Sequence, residues 1–149
     1  MNRRRRIAAI VAGIVLIVVA AAGLYRVAAS PPKPMKADDF ARYVRQVASL
    51  ARETALLADL VRRDRVTGHV ARTHRQKLEK EIEAVVEKLK APVPPQLAEA
   101  GDRARSLTAT LVENLRNLES HLPEPVFLET TRDDAARLAD EIAKLEPPK

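Results

Sequence analysis

Apolar residues fall into distinct blocks along this chain, and the spacing inside each block changes abruptly after residue 25. Residues 7–24 read IAAIVAGIVLIVVAAAGL, eighteen in a row without a charge. At about 1.5 Å of rise per residue this makes roughly 27 Å of helix, close to the hydrocarbon thickness of a bilayer. A transmembrane helix is therefore expected over residues 7–25. Residues 26–37 form a linker that contains Ser30, Pro31, Pro32, Pro34 and Met35. Proline cannot continue the helical hydrogen bonding, so the span and the first helix beyond the linker are not one rod.

From residue 38 to 146 the apolar positions become periodic. Phe40, Val47, Thr54 and Val61 recur every seven residues, with Tyr43/Val44, Leu50/Ala51 and Leu57/Ala58 between them. This a/d pattern predicts a coiled-coil-like amphipathic helix from Asp38 or Asp39 to about Arg65, with the two aspartates as cap and dipole partners. Val66, Thr67 and Gly68 mark a turn, where Gly68 supplies unusual backbone angles and Thr67 or Asp64 caps the next helix. The second helix is expected from His69 to Lys90. Its stripe is Val70, Thr73/His74, Leu78, Ile82, Val85 and Leu89, and Glu79, Glu83 and Glu87 belong to its wet face. Pro92, Pro94 and Pro95 stop it.

A third helix, Gln96 to His121, shows Leu97, Ala100/Gly101, Ala104, Leu107/Thr108, Leu111, Asn114/Leu115 and Leu118 on one side. Thr131 to Asp134 resembles a capping box that opens a fourth helix ending by Glu146, with Phe127 and Leu128 as a lead-in. No segment shows the period-two alternation of a strand. The expected fold is all-α: a single transmembrane helix, then an antiparallel three- or four-helix bundle with short connections. Helix rise puts the first turn about 40 Å from the membrane, and the Pro92–Pro95 loop back beside it.

Charge fixes the direction of insertion. Residues 1–6 carry Arg3, Arg4, Arg5 and Arg6, and basic flanks stay in the cytoplasm. The bundle is then periplasmic or extracellular, and the protein belongs to the inner or plasma membrane. The apolar core exceeds the roughly 7–15 residues of a cleaved signal peptide, and Pro31 and Pro32 follow Ala28, Ala29 and Ser30, which favours a retained signal-anchor. The absence of cysteine removes lipoprotein attachment, disulfides and thiolate chemistry. Abundant alanine and the excess of arginine over lysine suggest a bacterial envelope protein.

The formal charge of +6 would suggest nucleic acid, but Arg3, Arg4, Arg5, Arg6 and Arg26 carry five of those charges. The bundle is near neutral and nearly without stacking aromatics, so nucleic-acid binding is rejected. What remains is polarity along the bundle. Arg62, Arg63, Arg65, Arg72, Arg75, Lys77 and Lys80 meet only Asp64 and Glu79 within their stretch, whereas Glu113 to Lys149 holds nine acids against five bases. The arginines either contact an anionic partner or pair with carboxylates of the third and fourth helices.

Catalysis finds no support in the residues. His69, His74 and His121 fall at one end, but the first two are five positions apart and not three or four, and arginines surround them, so no metal site is expected. There is no Glu-x-x-His pair, haem-attachment motif or glycine-rich phosphate loop. No catalytic residue and no cofactor is assigned. Ala8/Ala12 and Ala9/Gly13 give the span a small-residue face that suits self-association, and Asn114 and Thr54 sit on seams where polar residues fix register. The expected function is a non-catalytic protein-interaction or envelope-assembly module, contacting a protein partner through Arg62, Arg63, Arg65, Arg72 and Arg75. The alternative is a sensor or carrier bundle for a small ligand or metal, released if the leader is cleaved.

Overall fold

The computed structural model describes residues 34–120 and 124–147, and every regular element in that range is helical. In order these are α1 (Ala37–Arg62), α2 (Gly68–Leu89), a 3-10 turn (Pro95–Leu97), α3 (Ala98–Ser120) and α4 (Pro125–Ala143). No helix among the described residues is long and apolar enough to cross a membrane. The span assigned to residues 7–25, with its small-residue face, lies outside the described residues.

Four helices, not three, form the bundle, and cross-helix bonds give their directions. Arg45 Nη1 reaches Glu146 Oε1 at 2.6 Å and Arg132 Nη1 approaches Asp59 Oδ1 at 3.8 Å, so α1 and α4 run antiparallel. Arg105 Nη1 donates to the Leu89 carbonyl at 3.0 Å while Arg116 Nε meets Glu79 Oε1 at 3.2 Å, which sets α2 against α3 in the same sense. Arg103 Nη2 to Glu141 Oε2 at 2.9 Å, together with the short chain separation between Ser120 and Pro125, does so for α3 and α4. At the entry, the Met35 N–H donates to the Pro92 carbonyl at 2.7 Å, tying the start of the bundle to the α2–α3 loop. Met35, expected in the linker, is buried.

The seams differ in the size of the side chains that fill them. α1 buries Ala48, Ala51, Ala55 and Ala58, and α4 buries Ala135 and Ala139, whereas α2 and α3 bury mainly Leu, Ile and Val. Small residues let helix axes approach, and α1–α4 is the most extensive pairing in the bundle. Buried hydroxyls are satisfied locally: Thr54 Oγ1 donates to the Leu50 carbonyl at 2.9 Å and Thr108 Oγ1 to that of Ala104 at 2.6 Å. Neither seam threonine crosses to another helix. Beneath the Pro92–Pro95 loop, Gly101 is required for close approach, because a Cβ there would stand 2.8 Å from Val93 Cγ2.

Five local expectations are corrected. Asp38 and Asp39 lie in the first turn of α1 but neither side chain caps it; Lys36 holds the cap position. Asp39 instead pairs with Arg42 at 2.9 Å. α1 ends at Arg62, three residues early, because Asp64 takes a left-handed conformation with φ of 52°. The Asp64 N–H then bonds the Val61 carbonyl and that of Arg65 bonds Leu60, the paired bonds of a Schellman ending. Aspartate tolerates this region better than most residues. Gly68, expected to provide the freedom, is an ordinary helical residue with no positive φ, and Thr67 caps α2 by accepting from the Val70 N–H at 3.4 Å.

One helix face and one helix start also differ. Val70 is exposed, and the inward stripe of α2 opens with Ala71 and Arg75. α4 begins at Pro125, six residues before the expected capping box, and Thr131 is a buried residue within it. Proline at the first helical position has no N–H to leave unbonded and has φ preset, which explains the earlier start.

Candidate functional site

The antiparallel order brings the end of α1, the α1–α2 turn, the end of α3 and the start of α4 to one end of the bundle, opposite Met35 and Pro92. The arginine set converges there, but its members behave differently. Asp59, on the last full turn of α1, draws Arg62 Nη2 to 3.0 Å and Arg63 Nε to 2.8 Å. Spacings of three and four residues place these partners on one helix face. The carboxylate that holds Arg62 and Arg63 thus comes from α1, not from α3 or α4.

Asp59 is only 19% exposed on its side chain, and its carboxyl is held below the ordinary carboxylate value. The hydrogen bond from Arg62 is the largest cause, burial acts in the opposite direction, and Arg63 adds a second hydrogen bond and its charge. A depressed acid contributes stability that is present above its unfolded pKa of about 3.9 and is lost as pH falls through the folded value. Asp59→Asn is therefore expected to lower the melting temperature of the full-length chain in detergent at pH 7. The gap to wild type should close as pH falls below about 3.9, because the wild type then loses the Asp59 charge that the variant never has. Melts followed by circular dichroism test this, and a gap unchanged at low pH would contradict it.

Arg75 is 6% exposed and its Nη1 lies 2.8 Å from Glu79 Oε2. Glu79 also receives Arg116 Nε, and Arg116 Nη2 reaches Glu83 Oε1 at 3.3 Å. These hydrogen bonds, Glu79's first, push the Arg116 guanidinium above its usual value. Glu79, expected on the solvated face, is half-buried and staples α2 to α3. Arg75 thus works inside the bundle, whereas Arg65 and Arg72 are exposed and form no ion pair among the described residues.

A cleft of about 480 Å³ opens at the same end, walled by Val61, Val66, Pro125 and Leu128 with Arg62 and Arg72 on its rim. Two valines are exposed at the same end. Val126 is 79% exposed and Val70 is 50% exposed, and with Leu56 on the shaft of α1 they are the large apolar residues left exposed among those described. Val126 is missed by a sequence reading that starts α4 at the capping box; Pro125 is the signal that would have found it. Asp59 is likewise signalled by its spacing to Arg62 and Arg63.

His69 is exposed and His74 half-buried beside Val70 and Lys77, while His121 lies outside the described residues. No group of three or more side chains suited to a metal ion occurs among the described residues. The chain matches no protein family, no curated protein and no solved structure.

Proposed function

We propose that this chain is a single-pass membrane protein whose helical bundle acts outside the cytoplasm as a non-catalytic interaction module. Residues 7–25 serve as the signal-anchor and the four arginines before them keep the N-terminus inside. The contact surface is the arginine-bearing end of the bundle, and the partner is an acidic protein of the same envelope. One observation carries this reading: exposed Val70 and Val126 share that end with Arg65 and Arg72, two guanidiniums that no carboxylate engages among the described residues. Apolar anchors surrounded by arginine are the usual make-up of a protein-binding patch, with the charges steering encounter and the apolar groups supplying retention. Arg62 and Arg63 add to the local field although Asp59 holds them. A carrier role has less behind it, because the seams are packed with apolar side chains and the seam hydroxyls of Thr54 and Thr108 bond within their own helices.

The test is capture of partners by the tagged full-length chain from its native membranes, with and without charge reversal. Arg65→Glu with Arg72→Glu should reduce the captured partner at least about tenfold, the equivalent of 1.4 kcal/mol, since two favourable charges become unfavourable. Arg52→Glu with Lys144→Glu changes the net charge equally at positions elsewhere and should leave capture intact. Equal capture by both double variants would overturn the assignment.

A further inference from the structure

A second surface feature lies away from the arginine-bearing end. Along the outer side of α2 and α3 runs a groove of about 360 Å³ whose floor is Val86, Leu89, Thr108, Ala109 and Val112. Its ends carry opposite character. Lys90 and Arg105 stand at one end, and Glu83 and Glu113 at the other, where Arg116 is already bonded to Glu79 and Glu83. Lys90 pairs with the exposed Glu87 at 2.5 Å and Arg105 with the exposed Asp102, pairs that exchange partners at little cost, while Arg105 Nη1 keeps its bond to the Leu89 carbonyl.

We propose that this groove is occupied by a second copy of the same chain, laid antiparallel across it. A two-fold axis perpendicular to the groove sets Lys90 and Arg105 of each copy against Glu83 and Glu113 of the other, so one polar surface satisfies itself twice. The opposite arrangement, like ends together, sets base on base and acid on acid. The floor suits the same geometry: Ala109 sits midway between the charged ends, exposed and small, with Val86 and Val112 half-buried beside it. Two α2–α3 pairs facing each other there close an additional helix-on-helix layer and cover apolar area that each copy leaves open. The proposal is independent of the partner contact, which uses other residues.

The chain contains no cysteine, so introduced thiols report without background. Full-length single-cysteine variants would be treated in native membranes with a short bismaleimide, which relaxes the distance a disulfide demands. Ala109→Cys is expected to give a crosslinked homodimer at least about tenfold above Glu53→Cys on α1, because docking holds the thiols near millimolar effective concentration. Lys90→Cys coexpressed with a differently tagged Glu113→Cys should yield the mixed dimer, and neither should couple to itself. Far-ultraviolet circular dichroism verifies that each variant is folded. Monomeric Ala109→Cys, its capture of a different protein, or self-coupling of Lys90→Cys in preference to the mixed pair would each overturn the proposal.

Discussion

Phe40→Ala is expected to cost the bundle about 3–5 kcal/mol. Phe40 has no exposed surface, while the other aromatics among the described residues, Tyr43 and Phe127, are only half-buried. It sits on the first turn of α1, at the end of the bundle where Met35, Leu89 and Ile142 are also buried. That end is closed by the Met35–Pro92 hydrogen bond and by the Val93 side chain pressed on Gly101, so collapse into the vacated space is restricted. A cavity that cannot collapse costs both the lost transfer energy and the lost contacts. Against a total stability of about 5–15 kcal/mol, a loss of this size lowers the melting temperature by more than roughly 10 °C. Urea unfolding of the full-length chain measures it, and a loss below about 1 kcal/mol would mean that the entry end is loosely packed.

Ala135→Leu tests the close α1–α4 seam from the opposite direction. Ala135 is fully buried on α4, the helix on which α1 packs most extensively. Leucine is the better core residue by transfer energy and an equally acceptable helix former, so a spacious seam would accept it. A seam built on alanines leaves no room, and forcing three further carbons into it is expected to cost about 1–3 kcal/mol or more through strained rotamers and separated helices. Ala136→Leu, one residue on and outside the buried stripe, should stay within about 0.5 kcal/mol of wild type. Stabilisation by Ala135→Leu would contradict the alanine account of the seam.

Helix faces are legible in the sequence wherever a full turn repeats. The stripe from Ala104 through Leu107/Thr108, Leu111, Leu115 and Leu118 is the buried face of α3 as expected, and the seven-residue pattern of α1 is buried from Phe40 to Ala58, with Tyr43 and the terminal Val61 only half-buried. Helix ends are less legible, because they are decided by single backbone conformations that many residue types can adopt. Asp64 takes the left-handed position that glycine usually holds, so the nearby Gly68 draws the expected turn to itself. Thr131, Arg132, Asp133 and Asp134 offer the chemistry of a helix start, but Pro125 begins α4 six residues earlier and turns Thr131 inward. At the arginine-bearing end, counting charges along a stretch misses what three-dimensional pairing does. Asp59 lies just before that stretch and engages Arg62 and Arg63, while Arg75 is drawn inside by Glu79. The exposed pair Arg65 and Arg72 belongs to the expected set, but only the pairing of the others distinguishes it.

Site-specific photocrosslinking of the full-length chain in living cells tests the interaction account most directly. A photoreactive residue at position 70, 72 or 126 places the probe on the arginine-bearing end, and one at position 53 places it on the exposed face of α1. The account expects one discrete crosslinked protein, the same from positions 70, 72 and 126, with an acidic surface and none of it from position 53. Crosslinks from position 53 alone, or equal crosslinking from all four, would contradict it.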